Sequence, residues 1–187
     1  QQKELTQNTA ALRGQLREVQ RTAEQAVIQS QKIAASELHA RQGTFLQLAE
    51  RIHAQMGSIA GLLYISSQAD GAATGEDVSR LWSEQKRGDP ELFARRLLVL
   101  AVAEEDPEAA HALFYGTEVR ARHSNHLIHV FERLLARARE ADGEDEMIVE
   151  AVRHGAHGFL YRVLLRERAR ARPEFADGAR TGRDVRL

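Results

Sequence analysis

The sequence predicts an all-α protein: a long N-terminal helix, coiled-coil-like over its first half, running into a bundle of about five helices. Three observations predict it. Apolar residues recur every seven positions from Leu5, and three prolines in 187 residues cannot punctuate an all-β chain. Two Asp-Pro pairs, in "GDPELF" and "EDPEAA", supply stop and start signals for helices. With 43% apolar and 28% charged residues the chain can bury a core without staples.

The first element is a stem over residues 1–36. Leu5, Leu12, Val19, Ala26 and Ile33 form one row of a seam, with Thr9, Leu16, Ala23 and Ser30 four positions further on. Alanine, serine and threonine bury little area and the flanks are mostly glutamine, so this helix needs a second surface. A homo-oligomer or a docked protein partner is expected through Leu5, Leu12, Leu16, Val19 and Ile33. After Ile33 the register shifts to a wider ladder of Leu38, Phe45, Ile52 and Ile59 with Ala49, Met56 and Leu63, where the chain enters the bundle of residues 37–175. Gly14 and Gly43 weaken the helix by roughly 1 kcal/mol each relative to alanine without breaking it.

"SSQADGAATG", residues 66–75, reads as a loop, and Thr74 can cap a short helix to about Arg87 that carries Trp82. In "GDPELF", Gly88 suits a position just past that helix, Asp89 an N-cap and Pro90 the first residue of the next. That helix, to about Glu104, is apolar nearly all round and belongs at the centre of the bundle. Asp106 and Pro107 open a helix to Ala141 with Gly116 as a bend. The acids of "EADGEDE" fall in the first turn of a last helix, Glu144 to about Ala171, which Pro173 ends. Residues 176–187 are expected to form a mobile tail.

Net charge is −1, which draws the chain to neither nucleic acid nor an anionic membrane as a whole. The absence of cysteine removes disulfides, thiolate metal sites and cysteine nucleophiles. The longest apolar run, Leu97 to Ala103, is far below the roughly 20 residues that span a bilayer. Because the chain begins at Gln1 and not Met, an upstream piece is expected, with room in it for a signal peptide or membrane anchor. The expected setting is the cytoplasm, beside a membrane if such an anchor exists.

Most titratable groups of interest lie in "VRHGAHGFLYRVLLRERARAR", residues 152–172. On a straight helix Glu150, His154, His157 and Tyr161 fall within roughly 60° of one another, opposite Ile148, Val152, Gly155, Phe159 and Val163. Such a stripe can hold a divalent metal or respond to pH, and it is equally what a solvated face looks like. Gly155 and Gly158 inside a helix call for an offsetting gain, most simply close packing. Arg162, Arg166, Arg168, Arg170 and Arg172, with Arg180, Arg183 and Arg186, form the one basic concentration and a candidate anion site. Glu167, Glu174, Asp177 and Asp184 offset it and no aromatic platform is interleaved, so nucleic acid is the less favoured partner.

His123, His126 and His129 spread over about 120° of helix surface and cannot converge on one ion. Two Glu-x-x-His pairs, Glu50–His53 and Glu108–His111, echo carboxylate di-iron bundles but sit in the wrong places: Glu50 faces away from the apolar seam and Glu108 lies in a first turn. No phosphate loop, nucleophile elbow, zincin or dinucleotide motif occurs, so no catalytic residue, cofactor or resident metal is expected.

The stem "QNTAALRGQLREVQRTAEQAVIQSQ", then "LQLAERI", "GDPEL" and an Arg-rich last helix, resembles bacterial membrane-anchored proteins of unknown function. The resemblance implies an upstream hydrophobic segment, a helical stem and a small helical domain, and carries over no functional residue. The function expected is a non-catalytic scaffold or adaptor. A metal- or pH-responsive regulator is the first alternative, and nucleic-acid or anionic-surface binding by the Arg-rich C-terminal helix the second.

Overall fold

The apolar ladder after Ile33 determines where the chain begins to bury itself. In the computed structural model, which describes residues 2–68 and 75–176, helix α1 runs Gln2–Ser67. The chain divides into two units, Gln1–Gly43 and Thr44–Leu187. Within the second, Phe45, Ala49, Met56, Ile59, Ala60 and Leu63 of α1 are buried, spaced as successive turns of one helix face require. Two glycines on this stretch admit neighbours that any side chain would displace. A Cβ at Gly61 would overlap the Trp82 ring, and one at Gly57 would lie 2.5 Å from the Pro90 carbonyl oxygen.

The remaining helices are α2 (Gly75–Lys86), α3 (Leu92–Ala103), α4 (Pro107–Tyr115), α5 (Glu118–Ala141), α6 (Met147–His154), α7 (Ala156–Arg170) and the single turn α8 (Pro173–Ala176). The expected all-helical fold is thus what the chain adopts, and no strand occurs among the described residues. No helix of the described residues is long and apolar enough to cross a membrane. The expected loop starts later than its composition suggests, because Ser66 and Ser67 fold their hydroxyls back onto the Leu63 and Tyr64 carbonyls at 2.8 Å and stay helical. Thr74 and the tail from 177 lie outside the described residues.

Gly88 turns the chain after α2 with φ of 120°, a conformation that suits glycine. The next start differs from expectation. Asp89 does not cap α3: its carboxylate pairs with Arg95, Pro90 sits in the preceding turn, and Glu91 occupies the cap position with its side chain directed elsewhere. Helix α3 is also one-sided. Phe93, Ala94 and Leu97 are buried, with Trp82 edge-on to Phe93 at 5.0 Å, whereas Val102 is 85% exposed. Apolar composition all round did not place it at the centre; α5 takes that position, burying Leu127, Ile128, Phe131, Leu134 and Ala138.

Asp106 caps α4 as its sequence context requires, accepting the Glu108 N–H at 3.0 Å. The anticipated bend at Gly116 is instead a full break. Thr117 is extended and caps α5 by accepting the Arg120 N–H at 3.3 Å. Arg120, although charged, is buried. Its guanidinium donates to the Ser66 carbonyl at 2.9 and 3.1 Å and to the Ala112 carbonyl at 2.9 Å, tying the end of α1 to α4.

At the next junction the acids Glu144 and Asp145 precede α6, and Asp142 does the capping, accepting the Ile148 and Val149 N–H groups at 3.2 and 2.8 Å. The last expected helix is then divided at Gly155, whose backbone is extended. Pro173 comes after the end of α7 and opens α8, where half-buried Phe175 packs on the core and its carbonyl accepts from Asn125 at 2.7 Å.

Candidate functional site

Three helix ends and faces converge where α7 begins. Glu91, before α3, sends its Oε1 to the Ala156 N–H at 3.0 Å, supplying the cap that Gly155 lacks a side chain to provide. A Cβ on Gly155 would stand 2.7 Å from that oxygen, which accounts for the glycine. Breaking the helix there also redirects the side chains of the next turn. His157 points inward and is 3% exposed, while Phe159, expected on the apolar stripe, is largely exposed.

His157 Nδ1 lies 3.8 Å from Glu91 Oε1, and its ring centroid is 5.5 Å from that of His53 on α1. Donor atoms of His53, Glu91 and His157 all lie within 4.8 Å of one another. Neither nitrogen of His157 has a hydrogen-bond partner. Burial, then the neighbouring His53 and Arg95, push the His157 pKa down to about 3. Burial also lowers that of His53, partly opposed by the Glu91 carboxylate. Both imidazoles are therefore neutral at pH 7, and each offers one ring nitrogen as a lone-pair donor beside a carboxylate, the donor set of borderline divalent metals. His53 further borders an apolar groove of about 450 Å³ between Phe45, Leu46 and Ala49 of α1 and Met147, Ile148 and Ala151 of α6.

The stripe expected from an unbroken helix is divided by this turn. Glu150 and His154 remain together outside, 3.0 Å apart, and with Tyr161 and Arg162 line a separate groove of about 430 Å³ over Phe131 and Leu135. The Tyr161 hydroxyl donates to Glu132 at 3.1 Å. His157 does not join them.

The Arg-rich end is largely engaged internally. Arg170 pairs with Glu108 at 2.7 Å and with buried Glu167 at 3.2 Å, and Arg166 pairs with Glu167 at 3.1 Å. Arg162 donates to the Arg153 and Gly158 carbonyls and sits 4.5 Å over the Phe159 ring. Arg168 is half-buried and Arg172 exposed. Arg180, Arg183 and Arg186 lie outside the described residues.

Of the Glu-x-x-His pairs, Glu108 and His111 take different partners, whereas Glu50 and His53 border the same groove. Glu50 is exposed, and His111 bonds Glu167 at 2.9 Å while Glu108 pairs with Arg170. His123 is half-buried and His126 and His129 are exposed, as helix geometry requires. Sequence reasoning thus missed Glu91 altogether and set His53 aside with its pair. The only available signal was the mid-helix glycine at 155, since nothing local links residues 65 positions apart.

The large residues of the stem seam, Leu12, Leu16, Val19 and Ile33, are exposed, and so are Val27 and Ile28, which lie off its rows; all six are 52–68% exposed. The side chain of Leu5 lies outside the described residues. Compared with known proteins, the chain matches no family model, no curated protein and no solved structure.

Proposed function

We propose that this chain is a non-catalytic assembly protein that joins a second copy of itself through the N-terminal half of α1. The observation that carries this reading is the exposed row Leu12, Leu16, Val19 and Ile33 on a helix in which, between residues 6 and 43, only Leu38 and Gln42 are even half-buried. An isolated helix that covers none of its apolar edge draws little stability from packing, and a like helix laid along the seven-residue seam covers it. The small residues Ala23, Ala26 and Ser30 along the same seam let two such backbones approach. Val27 borders the seam and Ile28 lies roughly 160° from Leu12, outside it.

Covering the four large seam side chains on each of two copies supplies on the order of 10 kcal/mol, against association costs of about 4–15 kcal/mol. At the low end of that cost the net is about 6 kcal/mol, a reversible complex with a Kd no tighter than tens of micromolar. Light scattering of the full chain at tens of micromolar should give a mass above that of the monomer. Deleting residues 1–36, or introducing Leu16→Glu with Val19→Glu, should return it to the monomer with helicity per residue little changed. A mass unaffected by either change refutes self-association.

A further inference from the structure

We propose that His53, Glu91 and His157 form a binding site for a divalent transition metal, zinc being the ion their chemistry fits. This inference stands apart from self-association, since none of the three residues belongs to the stem.

The donor set comes first. Two imidazoles and one carboxylate, carried by α1, the start of α3 and the first turn of α7, already bring donor atoms within 4.8 Å of each other. Tetrahedral zinc with bonds of about 2.0–2.1 Å places its donors about 3.3 Å apart. The 3.8 Å between His157 Nδ1 and Glu91 Oε1 is half an ångström from that, a change that small side-chain torsions supply. Imidazole nitrogen argues against calcium or magnesium, which take oxygen ligands, and no thiolate is present to favour softer ions.

The second observation is independent of proximity. His157 is 3% exposed with both ring nitrogens unpartnered, a state in which native proteins seldom leave a buried polar atom. A trapped water is a poor remedy. The cavity beside the ring, lined mainly by Met56, Leu127, Phe131, Leu160 and Leu164, measures about 10 Å³, at the lower limit for one water, and offers such a water few polar partners. A metal on Nδ1 gives the ring a partner on the side facing Glu91. The carboxylate is itself held in place, because the Ala156 N–H bonds Oε1, as ligating carboxylates are commonly held. Arg95 lies 4.0 Å from the other oxygen, Oε2, and also pairs with Asp89, so its charge is shared. Three protein ligands would leave one position of a tetrahedral ion for water.

The test uses the full chain, stripped with a chelator and titrated with Zn²⁺ alone in a calorimeter, with Co²⁺ as a spectroscopic stand-in. We expect one ion per chain, the intense visible bands of tetrahedral cobalt, and a melting temperature raised by about 5–10 °C at a hundredfold excess over Kd. His53→Gln and Glu91→Gln should each weaken binding at least tenfold, the latter while keeping an oxygen for the Ala156 N–H. His154→Gln, in the exposed pair with Glu150, should leave it unchanged. Absence of a saturable single site, or weak octahedral cobalt bands, overturns the proposal. So does binding that depends on His154 and survives His53→Gln. His53 is only half-buried, so its variant decides the matter even where a change at His157 prevents folding.

Discussion

Acid should destabilise this protein through one imidazole before its carboxylates dominate, and a single substitution isolates that share. His157 titrates near its ordinary 6.5 in the unfolded chain but near 3 when folded, because burial and the nearby His53 and Arg95 disfavour its cation. Its folded pKa is depressed, so below 6.5 the unfolded chain binds the proton that the native state refuses. Stability is therefore full above pH 6.5 and lost as pH falls toward 3. Between pH 7 and pH 4 that difference amounts to roughly 3 kcal/mol.

His157→Leu removes the group and fills a similar volume. Chelated wild type and variant would be unfolded in urea at pH 7 and pH 4 and followed by circular dichroism. The groups that face the ring, His53, Glu91 and Arg95, are common to both proteins, so their titration cancels to first order in the comparison. At pH 7 the variant should match or exceed wild type by about 1–3 kcal/mol, because two unpartnered buried nitrogens are gone. At pH 4 its advantage should widen by roughly 3 kcal/mol. Parallel stability curves over that range would refute the reasoning, since they would mean that the ring titrates alike in both states.

Other sites give further expectations. Arg120→Met removes three hydrogen bonds to the Ser66 and Ala112 carbonyls and should cost about 2–4 kcal/mol in urea unfolding, with no loss if the guanidinium were mere surface charge. Gly61→Ala forces a methyl into the Trp82 ring and should cost about 1–3 kcal/mol, accompanied by a change in tryptophan fluorescence. Asp142→Ala deprives α6 of its cap and should cost about 1–2 kcal/mol, with amide exchange at Ile148 and Val149 rising first.

Fold class and the inward ladder of α1 were readable because a repeated apolar spacing over several turns outweighs local detail, and Phe45, Ala49, Met56 and Leu63 obey it. Asp106 was readable because a cap and its proline act within three residues. The division at Gly155 was not, since the acceptor that makes it favourable, Glu91, is remote in sequence. Once that division was missed, a continuous 100° rotation put His157 on the wrong side, and a solvent-facing stripe was drawn through a buried residue. The same limit applied to α3, whose valines look like core from composition but face out because α5 fills the centre. The ion pairing within the Arg-rich end was likewise beyond local reading, as Glu108 pairs with Arg170 from 62 positions away.

The bond from Glu91 to Ala156 also bears on the order in which the chain assembles. Helix α7 takes its opening acceptor from a residue 65 positions upstream, so its first turn is expected to gain that cap only once Glu91, before α3, has docked. Closing so long a loop is expected on the late, downhill side of folding. Shortening the Glu91 side chain should then hasten unfolding while barely slowing refolding, the kinetic mark of a contact absent from the rate-limiting barrier.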